Sequence, residues 1–112
     1  MELTYRELED QTRLLALTGK LDVVGVGQVE TRFAGYCSGD NLRVLVDMSA
    51  VEFMASIGIR LLVLNAKSVA NRGGKIALVV PPGRVRDTLE LAALDAILPV
   101  YDDLDAALAG LN

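Results

Sequence analysis

The sequence predicts an α/β fold in which an N-terminal β-hairpin leads into alternating strands and helices. Three observations carry this expectation. Residues 3–9 and 12–17 are strand-like stretches flanking the turn pair Asp10-Gln11. Over the last seventy or so residues, aliphatic runs ending on turn residues alternate with segments of helical spacing, which argues for parallel strands and right-handed crossovers. Hydrophobic residues make up 52% of the 112-residue chain while aromatics are 4% and Trp is absent, so one sizeable core of Leu, Val, Ile and Ala is expected. At this length the expectation is a single domain.

In chain order, the second strand of the hairpin carries Leu14, Leu15 and Leu17. Thr18-Gly19-Lys20-Leu21-Asp22 then turns the chain toward a helix in which Val26, Val29, Phe33 and Cys37 recur at i, i+3, i+7 and i+11. Glycine inside a helix costs about 1 kcal/mol, so Gly25 and Gly27 argue for a start near Gly27, and Gly39-Asp40 closes the helix. Residues 43–48 read as a strand buried on both faces, because Val44, Leu45 and Val46 run consecutively. Asp47 ends this run, a short polar loop follows, and the apolar pattern restarts at Phe53 and Met54.

The next helix is expected over residues 57–72. Ile59, Leu62, Ala66 and Val69 share the face that should pack on the sheet. Roughly opposite, Arg60, Leu64, Lys67 and Asn71 form a stripe, leaving an apolar Leu64 among polar neighbours. Arg72-Gly73-Gly74 ends the helix, glycine supplying a left-handed cap. Residues 75–80 are another consecutive apolar strand, stopped by Pro81-Pro82-Gly83. Val85, Leu89 and Ala92 or Ala93 mark a third helix of about ten residues. Residues 97–100 form a short last strand, and Asp102 with Asp105 a weak capping arrangement for a helix over residues 104–111.

Composition also narrows function. Eleven Lys and Arg stand against 15 Asp and Glu, a formal charge of -4, and no basic run is present to cover a phosphate backbone. Direct nucleic-acid or anionic-membrane binding is therefore not expected. The single Cys37 and the absence of His remove an internal disulfide, zinc ligation and His-based catalysis from consideration. The opening MELTYRELED lacks the apolar core of a signal peptide, and no apolar stretch approaches the ~18–20 residues of a membrane span, so a cytoplasmic location is expected.

Ser56 stands where the central strand and its loop feed the second helix, and in open α/β sheets the functional crevice lies at such carboxyl ends of strands. A serine there can be an N-cap contributing about 1 kcal/mol. The same place tolerates a phosphoryl group, whose nearly two negative charges would meet the positive end of the helix dipole. Position alone leaves both roles open. Modification would alter the surface shown to a partner rather than unfold the chain; like charges at an interface cost several kcal/mol, against about 1.4 kcal/mol per tenfold in affinity. Asp47 and Glu52 suggest a carboxylate pair, but Asp47 at a strand end is read as capping or ordering its loop. Gly19, Gly25 and Gly27 lack the Lys-Ser/Thr or third glycine of a phosphate loop. Asp22 is a loop or cap residue on the same end of the sheet as Ser56, and Cys37 is expected to be buried and inert.

At these residues the chain resembles STAS domains of the anti-sigma factor antagonist (anti-anti-sigma factor) family. The family's L-x-G-x-L-D is matched by Leu17-Thr18-Gly19-Lys20-Leu21-Asp22, and its V-x-x-D-x-S-x-V-x-F by Val44-Leu45-Val46-Asp47-Met48-Ser49-Ala50-Val51-Glu52-Phe53. The signature D-S-S/T-G-[LI] appears as Ala55-Ser56-Ile57-Gly58-Ile59, departing at Ala55, usually acidic, and at Ile57, usually a second hydroxyl residue. The lost carboxylate is one that could order the loop or be read by a kinase. G-G-x-[IVL] falls at Gly73-Gly74-Lys75-Ile76, and L-P-[VI]-[YF]-x-[DS]-x-x-x-A-L at residues 98–108.

The resemblance implies a STAS fold over residues 1–112: a four- or five-stranded mixed sheet with about four helices flanking one side. It implies a regulator rather than an enzyme, with no cofactor, controlling transcription indirectly. The unphosphorylated form would bind an anti-sigma factor that is also a serine kinase with an ATP site. Phosphorylation of Ser56 would end binding, and a metal-dependent serine phosphatase would restore it. The partner surface would comprise Asp22, Ala55, Ser56, Ile57, Gly58, Arg60, Leu64 and Lys67, with self-association into a homodimer left open. The alternative is a non-switching scaffold or adaptor subunit, stressosome-like or part of a lipid-transport assembly, in which Ser56 only caps its helix.

Overall fold

A computed structural model of the chain describes residues 1–94 and 96–111. The hairpin pairs β1 (Glu2–Glu7) antiparallel with β2 (Arg13–Leu21). Its turn is wider than two residues: the Leu8 N–H donates to the Thr12 carbonyl at 2.8 Å, and the Gln11 N–H to the Leu8 carbonyl at 3.0 Å. Gln11 takes a φ of 67°. The Asp10 carboxylate accepts from the Thr12 N–H at 3.1 Å, and hydrogen bonding from Thr12 holds its pKa below the ordinary value.

The residues 18–22 expected to turn the chain are instead mostly strand. β2 continues to Leu21 through register shifts against its neighbour, between Ala16 and Thr18 and between Gly19 and Lys20, with Gly19 at φ 114°. Such bulges bend a strand without ending its pairing, and that is why a turn-like composition survives in a ladder. Helix α1 (Val23–Tyr36) then begins immediately, ahead of the start near Gly27 that helix propensity predicts. The apolar series on it is as expected: Val26, Val29, Phe33 and Cys37 are all buried.

Strand β3 (Arg43–Met54) also runs past its expected end, the supposed polar loop after Asp47 remaining paired with β2 up to Met54. In the sheet order β1-β2-β3-β4-β5 it is central, parallel to β2 and to β4 (Lys75–Val79), which is parallel to β5 (Val100–Tyr101). This explains its consecutive apolar residues. Val44 and Val46 join the core under α1, α2 (Ser56–Asn71) and α3 (Arg84–Leu91), while Leu45 joins a second cluster with Ala77 and Val79. Ala107 and Leu111 of α4 (Leu104–Leu111) cover that second cluster. Helices therefore lie on both faces of the sheet, not one, because the central strands are apolar on both sides.

Two smaller expectations are corrected. The last strand is Val100–Tyr101 rather than residues 97–100: the Leu98 N–H bonds back to the Leu94 carbonyl at 2.8 Å, so that segment is a turn, with Leu98 buried in the larger core. The cap of α4 is Asp103, whose Oδ1 accepts from the Ala106 N–H at 2.8 Å, while Asp102 pairs with Arg86. Gly73, at φ 78°, follows the C-terminal end of α2 as read.

Cys37 is 1% exposed, and burial pushes its thiol from the ordinary 9.0 up to about 12. Because the folded value is the higher one, the stability linked to this group is intact below pH 9 and is lost as pH rises from there toward 12. A chromogenic disulfide at pH 8 is expected to label Cys37 only after denaturant unfolds the chain, as a thiol titration would read directly.

Candidate functional site

The site grows from the ends of two adjacent parallel strands. Leu21 of β2 lies beside Met54 of β3 in the register, and the Ala55 N–H donates to the Leu21 carbonyl at 3.0 Å. Each chain then passes through one extended residue, Asp22 (φ -100°, ψ -171°) and Ala55 (φ -93°, ψ 172°), and enters a helix. The N-termini of α1 and α2 are thereby tied together at one end of the sheet. Asp22 caps α1, its Oδ1 accepting from the Gly25 N–H at 2.8 Å.

Two glycines allow this closeness. A Cβ on Gly25 would fall 1.9 Å from the Lys20 carbonyl oxygen; one on Gly58 would fall 2.9 Å from Leu21 Cβ and 3.0 Å from the Leu21 carbonyl oxygen. Gly58 in the signature thus seats the first turn of α2 against the end of β2.

Ser56 differs from its expected role as N-cap. Ala55 holds that position, its carbonyl accepting from the N–H groups of Gly58 (2.9 Å) and Ile59 (3.3 Å), and among the described residues no side chain caps α2. Ser56 is the first helical residue, and it is exposed. A helix leaves its first N–H groups without intrahelical acceptors, and the dipole places partial positive charge there. The serine oxygen therefore sits where an anion is favoured, without being needed as a cap.

Behind it, Ile57 is partly buried and lines a groove of about 310 Å³ between the two helices, together with Val26, Glu30, Arg60, Leu61 and Leu64. Arg60 and Lys67 are exposed, and Leu64 is 55% exposed, as the stripe predicted. The structure thus brings Asp22, Ala55, Ser56, Ile57 and Gly58 to one end of the sheet and sets Arg60, Leu64 and Lys67 along α2. At this end of the sheet, sequence reasoning missed the exposed apolar residues Val23 (70%), Val24 (68%) and Phe53 (51%). The signal was the Val-Val pair directly after Asp22, legible only if Asp22 is taken as the cap.

Asp47 and Glu52 are not a working pair. Asp47 Oδ1 accepts from the Ser49 N–H at 3.0 Å and from the Ser49 hydroxyl at 2.6 Å, while Glu52 is exposed. Among the described residues, no group of three His, Cys, Asp or Glu side chains is placed to hold a metal ion, and no helix is long and apolar enough to cross a membrane.

Known proteins resemble the chain in both sequence and shape. BtrV of Bordetella bronchiseptica, named as a candidate anti-sigma factor antagonist, is 27% identical over 112 residues, 100% of this chain and 96% of that protein. The anti-sigma-F factor antagonist RsfB of Mycobacterium tuberculosis is 24% identical over 99 residues, 88% of this chain and 80% of its own. The crystal structure of an anti-sigma factor antagonist from Mycobacterium paratuberculosis superposes with a TM-score of 0.85 at 25% identity, covering 98% of this chain and 94% of that one. The fold is also that of unphosphorylated SpoIIAA, with a TM-score of 0.74 at 17% identity over 99% of both chains. The STAS domain pattern itself matches residues 5–107, from the second half of β1 to the first half of α4, and the chain accordingly belongs to the STAS domain family.

Proposed function

We propose that the chain is an anti-sigma factor antagonist that captures an anti-sigma factor on the surface formed by the N-termini of α1 and α2 and the groove between them. A phosphoryl group on Ser56 ends that capture. The observation that carries this reading is the exposed Ser56 hydroxyl, first in α2 and free of any capping duty, next to Ile57 in the groove wall. The names of the relatives supply the class of partner.

Phosphorylation leaves the fold in place, because Ala55 anchors the helix through its backbone and the new charge meets the positive helix end. The change falls on the partner, which meets nearly two negative charges beside a groove it would otherwise fill with apolar atoms. The anti-sigma factor is itself the serine kinase and brings its own ATP site; a metal-dependent serine phosphatase returns Ser56 to its free state. The chain acts by binding in the cytoplasm, without turnover of its own.

The test uses wild-type, Ser56→Ala and Ser56→Asp chains as parallel baits in lysate of the source organism. An ATP-binding kinase of the anti-sigma type is expected on wild type and the Ala variant, and absent from the Asp variant. Equal recovery on all three baits would remove Ser56 from partner choice and favour the non-switching scaffold.

A further inference from the structure

Among the described residues β1 is an edge strand, paired with β2 on one side. Along an antiparallel strand, successive residues direct their backbone N–H and C=O groups alternately to the two sides. The Leu8 N–H donates to the Thr12 carbonyl, and the same register sets Arg6 opposite Leu14, Thr4 opposite Ala16 and Glu2 opposite Thr18. Alternation from Leu8 assigns the backbone groups of Arg6, Thr4 and Glu2 to β2. Those of Leu3, Tyr5 and Glu7 point outward, and an edge of this kind is a template for another strand.

The side chains select which strand. Leu3 is buried in the core beneath α1, and Tyr5 stacks on Tyr36 of α1 with ring centroids 4.4 Å apart and planes 6° from parallel. Glu2, Thr4 and Arg6 therefore share the opposite face. Glu2 and Arg6 are exposed, and their cross-strand neighbours, Thr18 and Leu14, are uncharged. Four residues apart on one strand, they stand about 13 Å from each other, too far to pair within the chain.

We propose that β1 pairs antiparallel with β1 of a second copy of this chain, Thr4 facing Thr4 on the two-fold axis, to join two five-stranded sheets into one. In this register Leu3 and Tyr5 exchange backbone hydrogen bonds with Tyr5 and Leu3 of the second copy, about four bonds in all. Glu2 of each copy meets Arg6 of the other, an opposite-charge pair made twice. Leu3 of one copy lies next to the Tyr5 ring of the other, which is 39% exposed in the single chain.

Neighbouring registers that use the same outward groups lose this match. Tyr5 against Tyr5 sets Thr4 opposite Arg6 and Leu3 opposite Glu7. Sliding further sets Arg6 against Arg6, and sliding the other way sets Glu2 against Thr4. The pairing is independent of Ser56 and of any anti-sigma factor.

Sedimentation equilibrium from micromolar to near-millimolar concentration tests it on wild type, Glu2→Arg, Arg6→Glu and the double variant. Wild type is expected to form dimers. Each single reversal turns two attractive pairs into two repulsive ones and should raise the dimer dissociation constant at least ~tenfold, while the double variant returns to within about threefold of wild type. A wild type that is monomeric throughout, or a dimer indifferent to the reversals, overturns the proposal. Should the reversals disturb folding, hydrogen exchange on wild type decides: protection of the Leu3, Tyr5 and Glu7 amides must rise with protein concentration, while that of Thr4 and Arg6 stays constant. No such dependence would equally overturn it.

Discussion

Replacing Gly25 with alanine is expected to cost about 3 kcal/mol or more of folding stability, whereas the same change at Gly27 should raise stability by up to about 1 kcal/mol. Helix propensity alone favours alanine at both positions, since both lie inside α1. At Gly27 nothing lies within 4 Å of the added methyl, so the intrinsic preference stands. At Gly25 the methyl would come within 1.9 Å of the Lys20 carbonyl oxygen and 3.2 Å of Asp22 Oδ1. The first is a backbone atom, in a stretch of β2 paired with β3 at Phe53, and it cannot swing away like the end of a side chain. Relief requires the first turn of α1 to lift from β2, breaking the Asp22 cap and opening the junction that also carries Ser56. Urea unfolding of the two variants measures both effects. A Gly25→Ala chain as stable as wild type would mean that α1 does not approach β2 as closely as described.

Leu64→Glu is expected to leave folding unchanged within about 0.5 kcal/mol, because the side chain is more than half exposed. Its effect belongs on binding. Leu64 lines the groove with Ile57 and Leu61, and a carboxylate there would be desolvated by any partner that fills the groove with apolar atoms. A loss of roughly thirtyfold or more in affinity for the captured anti-sigma factor follows from central interface residues contributing about 2 kcal/mol or more. Calorimetric titration reads this loss, and denaturant unfolding of the same sample checks the fold. Undiminished affinity would remove α2 from the interface.

What could be read from the sequence was set by local pattern. The buried face of α1 was legible because Val26, Val29, Phe33 and Cys37 each keep one helical spacing. The central place of β3 was legible because only a strand covered on both faces has Val44, Leu45 and Val46 in a row. Element ends were less legible, because neighbours fix them. Thr18 to Lys20 and Ser49 to Glu52 have the composition of loops yet stay in the ladder, each strand giving the other its hydrogen-bond partners. Gly25 looked like a helix breaker and is instead the residue a close helix–strand approach requires. Ser56 looked like a cap, but the Ala55 N–H bound to the Leu21 carbonyl sets the helix start one residue earlier. Nor does amphipathic spacing say which sheet face a helix covers, and α4 took the face opposite to the other three.

Charge at Ser56, and not a change of fold, is expected to decide whether the partner is held. The most direct test is calorimetric titration of the captured anti-sigma factor with two forms of this chain, one unmodified and one carrying phosphoserine at position 56. The unmodified form is expected to bind and the phosphorylated form to bind at least ~100-fold more weakly, a difference of about 2.7 kcal/mol, with both unfolding at similar urea concentrations. Equal affinity of the two forms would contradict the account.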